Sequence, residues 1–258
     1  TNGGVVAMYG TDAQVTRALT FLNNIWRNNE ATNGGCIYLA NPFLGSQTIT
    51  MENETVTSNK AQNDGGFLHC ANAVGTLTIT GSQFNLNSAM ANGGVVSLPT
   101  DDTNVTLIHS HFSENHANVT GGILHAIAVG QIQHLEVTQC TLQANWAGVG
   151  GGFGLIFALS NTHNVTMTNN IVMSGNATNG GVLSIFLNMA IPSPTLLLAL
   201  NNNLVTNVRV ASTNGLGGFA RLFLTNVTTL ELNARDNVFQ NVSGGVFSID
   251  HSQAANQN

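Results

Sequence analysis

The chain has 258 residues, a formal net charge of −6 and only 7% charged residues, with Lys60 as its single lysine. So little positive charge argues against a nucleic-acid partner, and no apolar run reaches the roughly 18 residues of a membrane-spanning helix. Asn, Thr, Ser and Gly carry most of the polar surface, which suits a secreted life.

The first predicted element follows the doublet Gly3-Gly4 and reads Val5-Val6-Ala7-Met8. Its second and fourth residues are apolar and its third is free to vary, the alternation of a strand with one buried face. A second strand, centred on Leu19-x-Phe21, comes next. It leads to one large apolar residue, Trp26, then to Asn29 and Ala31, and the next doublet stands at Gly34-Gly35. The whole unit then recurs. Doublets begin at Gly3, Gly34, Gly65, Gly93, Gly121, Gly151, Gly180, Gly217 and Gly244, at steps of 27 to 37 residues. The paired inward positions continue as Ile49-x-Met51, Leu77-x-Ile79, Val105-x-Leu107, Leu135-x-Val137 and Val165-x-Met167. The large apolar position continues as Val56, Phe84, Phe112, Leu142 and Val172. The asparagine position holds Asn29, Asn59, Asn87, Asn115 and Asn145, then Gly175, with Asn207 and Asn241 resuming it less cleanly. Ala31, Ala61, Ala89, Ala117, Ala147 and Ala177 close the unit.

A fixed period of this size marks stacked repeats that cannot bury an apolar face singly. No segment shows a sustained 3.6-residue period. Short strands broken at Gly and Asn predict an all-β, right-handed parallel β-helix of about eight to nine coils of 27–37 residues, with residues 1–258 forming one solenoid domain. Asn at one turn position stacks into a ladder, hydrogen-bonding its neighbours above and below. Glycine permits a corner that leaves no room for a Cβ. The edges at Thr1–Tyr9 and Val246–Ile249 lack a charged cap, so further coils or copies stacked end to end are expected there.

The tetrapeptides Phe84-x-x-Asn87 and Phe112-x-x-Asn115, with the looser Trp26-x-x-Asn29 and Leu142-x-x-Asn145, occur beside doublets reading GGVV, GGCI, GGFL and GGIL. This resembles the GGA(I/L/V) and FxxN repeats of the polymorphic outer membrane protein family. The resemblance implies a right-handed β-helix passenger segment with an adhesive role.

Catalysis needs convergent ionisable groups, and the sequence offers few. Asp101-Asp102 is the best local pair, but the matching loops, Asn72-Ala73-Val74-Gly75 and Ala128-Val129-Gly130-Gln131, hold no carboxylate. Glu52 and Glu54 share a coil without an evident partner. His69 and His125 share the free third position two coils apart, roughly 9.6 Å by strand spacing, too far for one zinc; His109, His111 and His116 match no metal spacing, and all read as surface histidines. Cys36, Cys70 and Cys140 fall in different columns and read as buried free thiols. No cofactor or metal is expected.

Seven N-x-[S/T] sequons occur. Asn53, Asn104, Asn118, Asn164, Asn176 and Asn226 are candidate glycosylation sites, whereas Asn241 is assigned to the asparagine column. The threonine column Thr20, Thr50, Thr78, Thr106 and Thr166, interrupted by Glu136, resembles an ice-binding array. The 37-residue seventh step carries two insertions, around Asn188–Pro194 and Val210–Asn214, and predicts a protruding binding loop at Ile191, Pro192, Ser193 and Pro194. These features point to a non-catalytic extracellular structural or adhesive protein of a cell surface, matrix or filament. Its expected partners are copies of itself, glycans or surface proteins. A polysaccharide lyase or hydrolase is the alternative reading, and ice binding a lesser one.

Overall fold

The structure, a computed structural model, describes residues 2–9, 17–40, 47–71, 75–98, 103–128, 132–158, 162–187, 195–210, 217–225 and 229–252. Asp101, Asp102, Asn226 and the proposed loop Ile191–Pro194 lie outside the described residues, as do Asn188 to Ile191 and Ala211 to Asn214 of the long step. The described residues are all-β, and every strand pairs in parallel with its equivalents in the neighbouring coils, which makes the fold a parallel β-solenoid.

Among the described residues the strands form four sheets. The doublet sheet has nine strands, from Val6–Tyr9 to Phe247–Ser252. The threonine sheet has eight, from Arg17–Leu22 to Thr229–Arg235. A short sheet of eight runs from Ile25–Arg27 to Val238–Gln240, and a two-residue alanine sheet of seven from Glu30–Ala31 to Arg209–Val210. Register is strict: Thr78 lies between Thr50 and Thr106, and Phe84 between Val56 and Phe112. The paired inward residues, the large apolar residue and the second and fourth positions after most doublets meet in one continuous core, with Ile249 at the last doublet left 46% exposed. Side-on aromatic contacts run along it, from Phe21–Trp26 through Trp26–Phe67 and Phe67–Phe84.

Both glycines of a doublet leave no room for a Cβ: on Gly34, Gly65 or Gly93 it would lie 2.0–2.2 Å from the carbonyl oxygen three residues on. The first has a positive φ, from 56° to 81°, in all nine doublets, a region costly for residues with a Cβ. The second stacks on its equivalent. A Cβ on Gly35, Gly66 or Gly94 would come within 2.0–2.1 Å of the carbonyl oxygen of the following doublet's second glycine. Any side chain there would force two coils apart.

Two further corners share one construction. After the threonine sheet, Asn23, Asn53, Gly81, His109, Gln139, Asn169, Asn202 and Asp236 have φ of 50–59°, and the next residue begins a side-chain ladder. After the short sheet, Asn28, Ser58, Leu86, Glu114, Ala144, Ser174, Asn207 and Asn241 have φ of 51–57°. That register corrects the assignment of Asn207 and Asn241. They stand one residue before the asparagine column, in the left-handed position of the bend, and the column itself continues as Gly175, Val208 and Val242.

Candidate functional site on the outer face of the doublet sheet

The asparagine column holds the second of these corners. In Asn59, Asn87 and Asn115 the backbone N–H and Nδ2 both donate to Oδ1 of the next asparagine, at 2.9–3.1 Å. Nδ2 also donates to a carbonyl of the preceding coil: Trp26, Val56 and Phe84 respectively. Asn29 joins at one end and Asn145 at the other. A second ladder, absent from the sequence reading, runs through the first corner. Asn24 donates to Glu54 Oε1, Glu54 N–H to Ser82 Oγ, and Ser82 N–H to Ser110 Oγ. The Ser110 N–H is bonded to Cys140, and the Cys140 N–H donates to Asn170, followed by Asn203 and Asn237. Its signal was a constant offset of five residues before the asparagine column.

This ladder revises the reading of Glu54. The carboxylate is buried, accepting from Asn24 through Oε1 and from the Trp26 indole N–H through Oε2 at 2.5 Å. Glu52 is exposed. The three cysteines are buried free thiols. Burial pushes the Cys36 thiol up to about 12 and Cys140 to about 11, and raises Cys70 too, so none is a poised thiolate.

The outer face of the doublet sheet differs most from expectation. Its third-position residues point away from the core, yet several are closed off from solvent. His69 and His125 are each 7% exposed, and Ser97 and Ser184 are 0% exposed. His69 and His125 are therefore not surface histidines, and neither is His163, at 1%. Alternation fixes the direction of a side chain, but the flank beside it decides its exposure. Beside His69 lie the doublet's own corner, where a Cβ on Gly65 would lie 3.0 Å from the His69 Cβ, and the Tyr38 ring. Along this corner Asn33 donates to Asn2, Asn92 to Asp64 Oδ1, and Thr120 to Asn92.

The face forms a column of rings and polar groups. Tyr9 meets Tyr38 at 5.7 Å, and the Tyr38 ring stacks on His69 at 5.6 Å with 7° between planes. Ser97 Oγ lies 3.4 Å from His125 Nδ1. Burial holds His125 down to about 4 against the raising influence of Asp64, with His69 adding to the depression; His69 is lowered for the same reason. The Ser97–His125 contact has the residue types of a nucleophile and base, but Ser97 is sealed, so no substrate carbonyl reaches its hydroxyl. Further along, Phe186 stacks on Phe223 at 4.3 Å, and Arg221 lies 3.8 Å over the Phe223 ring while donating to Asp250 at 3.0 Å.

Other candidates stay apart. Among the described residues no three of His, Cys, Asp or Glu are placed to share a metal ion, and no helix is long and apolar enough to cross a membrane. Of the sequons, Asn53, Asn104 and Asn118 are exposed, while Asn164 and Asn176 are half-buried. The threonine column is in register, but a His134–Glu136 pair at 3.7 Å interrupts it and Ala199 and Asn233 end it. An open cavity of about 390 Å³ is lined by Ser174, Gly175, Asn176, Asn207 and Arg209. Comparison with protein-family models, curated proteins and solved structures gives no match for this chain.

Proposed function

We propose that the chain is a non-catalytic structural or adhesive β-solenoid of a cell surface, extracellular matrix or filament. The observation that carries this reading is where its polar groups go. Asparagines, serines and even a buried glutamate are tied into ladders joining coil to coil, and few ionisable groups remain to converge on a substrate. Such a rod presents long faces in fixed register, a geometry suited to multivalent contact. The resemblance to outer-membrane passenger segments supports the same reading. Half-buried Leu19 and Phe21 at one end of the stack, and Phe239 and Phe247 at the other, offer surfaces to further coils or copies. Glycans or surface proteins are the expected partners of the sides.

The test has two parts. Antibody against the chain should stain unpermeabilised source cells, and beads coated with the protein should adhere to cells or matrix and be displaced by free protein. Staining that requires permeabilisation, or beads that bind no better than albumin-coated ones, would sink the proposal.

A further inference from the structure

The chain has two tyrosines in 258 residues, Tyr9 and Tyr38, and they touch each other on the outer face of the doublet sheet. Neither belongs to the core. Tyr9 is 62% exposed and Tyr38 is half-buried. Their contact is diagonal, since Tyr9 pairs with Ala40 and Tyr38 with Ala7, and exposed tyrosine rings with a free polar tip are enriched at binding faces.

We propose that this end of the face binds a neutral oligosaccharide, with Tyr9 and Tyr38 as stacking platforms and the Asn33–Asp64–Asn92 flank as a hydrogen-bonding edge. The inference rests on the adhesive reading and names its ligand class. A pyranose ring offers C–H bonds on its faces and hydroxyls around its rim. It therefore needs a ring plane beneath it and amide or carboxylate groups beside it. Both are present on adjacent coils, about 4.8 Å apart along the axis, so a chain of sugars laid along the rod meets repeating groups. The Tyr38 ring is already held by its stack on His69, at 7° between planes, so little conformational freedom is lost on binding. Charge selects against acidic sugars: among the described residues the flank carries Asp64, and the chain carries a net −6.

Because both tyrosines sit in the proposed site, fluorotyrosine labelling gives two ¹⁹F signals that report on it alone. Neutral hexasaccharides of glucose, mannose, xylose and N-acetylglucosamine are titrated against the labelled chain, with oligogalacturonate as the acidic comparator. The expected result is saturable movement of both signals with at least one neutral series. Calorimetry should then show at least tenfold weaker binding for Tyr38→Ala and for Tyr9→Ala, and retention for Tyr9→Phe, which keeps the ring face. Ile25→Ala on the short sheet serves as a control and should change nothing. Circular dichroism confirms that each variant folds, and Tyr9→Ala, at an exposed position, keeps the test valid if Tyr38→Ala does not. The proposal is overturned if no neutral sugar moves the signals at about 10 mM, if only the acidic comparator does, or if binding survives loss of both rings. Cell adhesion that persists in the Tyr9→Ala/Tyr38→Ala variant would leave the adhesive reading standing without this site.

Discussion

The coils from Asn24 to Ala147 and those from Asn170 to Val242 hold themselves together at different corners. In the first region the corner after the short sheet is an unbroken amide ladder, Asn29 to Asn145, while the corner after the threonine sheet uses Glu54, Ser82, Ser110 and Cys140. In the second region the amides move to the threonine-sheet corner as Asn170, Asn203 and Asn237, and the other column becomes Gly175, Val208 and Val242. A solenoid of this kind needs one corner of each coil zipped by bifunctional amides, and the zip can change sides. At the change, Asn145 has no asparagine to follow it, and the side chain missing at Gly175 would face Gly181, Val182 and Val208.

If the two zips are equivalent, breaking either should cost the same. Asn115→Ala removes acceptors for the Asn87 N–H and Nδ2 and a donor to the Phe84 carbonyl. Asn203→Ala removes acceptors for the Asn170 N–H and Nδ2 and a donor to the Met167 carbonyl. Each leaves two or more buried groups unpaired, so a loss of about 3–5 kcal/mol is expected in both. Urea unfolding followed region by region with amide exchange is the measurement, because long repeat arrays can melt in parts. An Asn203→Ala cost below half that of Asn115→Ala would show that the second zip is the weaker one.

Acid should also separate the regions. On the doublet sheet the first carries buried His69 and His125, where the second has Ser184 and Arg221. His125 has its pKa lowered by burial from 6.5 to about 4. A depressed histidine pKa stabilises the fold above the unfolded value, and that stability drains away as pH falls from about 6.5 toward 4, because the unfolded chain binds the proton more readily. The drop is about 3 kcal/mol for His125, with His69 adding in the same direction. Amide protection factors, corrected for the intrinsic slowing of exchange in acid, should fall between those pH values in the Leu68–Ala128 region more than in Leu183–Thr225. His125→Gln should flatten the difference; an unchanged pH profile in that variant would remove His125 as the cause.

Arg221 is the counterpart on the second region's face. It donates to Asp250 at 3.0 Å and covers the Phe223 ring, with its side chain 15% exposed. Arg221→Ala should cost about 1–2 kcal/mol, and Arg221→Lys should recover little of it, since an ammonium lacks the planar stack. Thermal melts in low and high salt separate the Asp250 part, which shrinks with salt, from the part due to the Phe223 ring and the hydrogen bond that Arg221 also donates to Asn179 Oδ1.

How much of this was legible depended on whether a column keeps its residue or only its role. The doublets could be read because a Cβ on either glycine would run into a backbone carbonyl, and the first glycine also takes a positive φ. The Asn29–Asn145 ladder could be read because one side chain must both accept and donate. The other ladder escaped notice because Glu54, Ser82, Ser110, Cys140 and Asn170 share only the ability to accept a backbone N–H, and unlike side chains do that. Burial of His69 and His125 escaped for a different reason. Period-two alternation records which way a side chain points, whereas its cover comes from a corner packed beside it in space. Asn207 and Asn241 misled because asparagine is favoured both in a left-handed bend and in a ladder, and one residue of register separates the two.

The smallest expected effect tests whether the regions also differ on a face that contributes little to the fold. The first outward position of the short sheet reads Ile25, Thr55, Gln83, His111 and Thr141 in the first region, polar after its first member, and Ile171, Leu204 and Val238 in the second. Those three apolar residues are 40%, 39% and 54% exposed and lie in register. Replacing Ile171 and Leu204 by Thr restores the first region's pattern. β-branched Thr suits an exposed strand about as well as Ile does, and the side chains are too exposed for a large transfer loss. The change in unfolding free energy should stay within about 0.5 kcal/mol per substitution. Should either substitution cost more than about 1.5 kcal/mol, the side chain is packed rather than displayed, and the apolar column would belong to the fold. A null effect leaves these residues as a displayed stripe, which sharpens the contrast with the Thr55–Thr141 stretch of the first region and directs partner searches to the second.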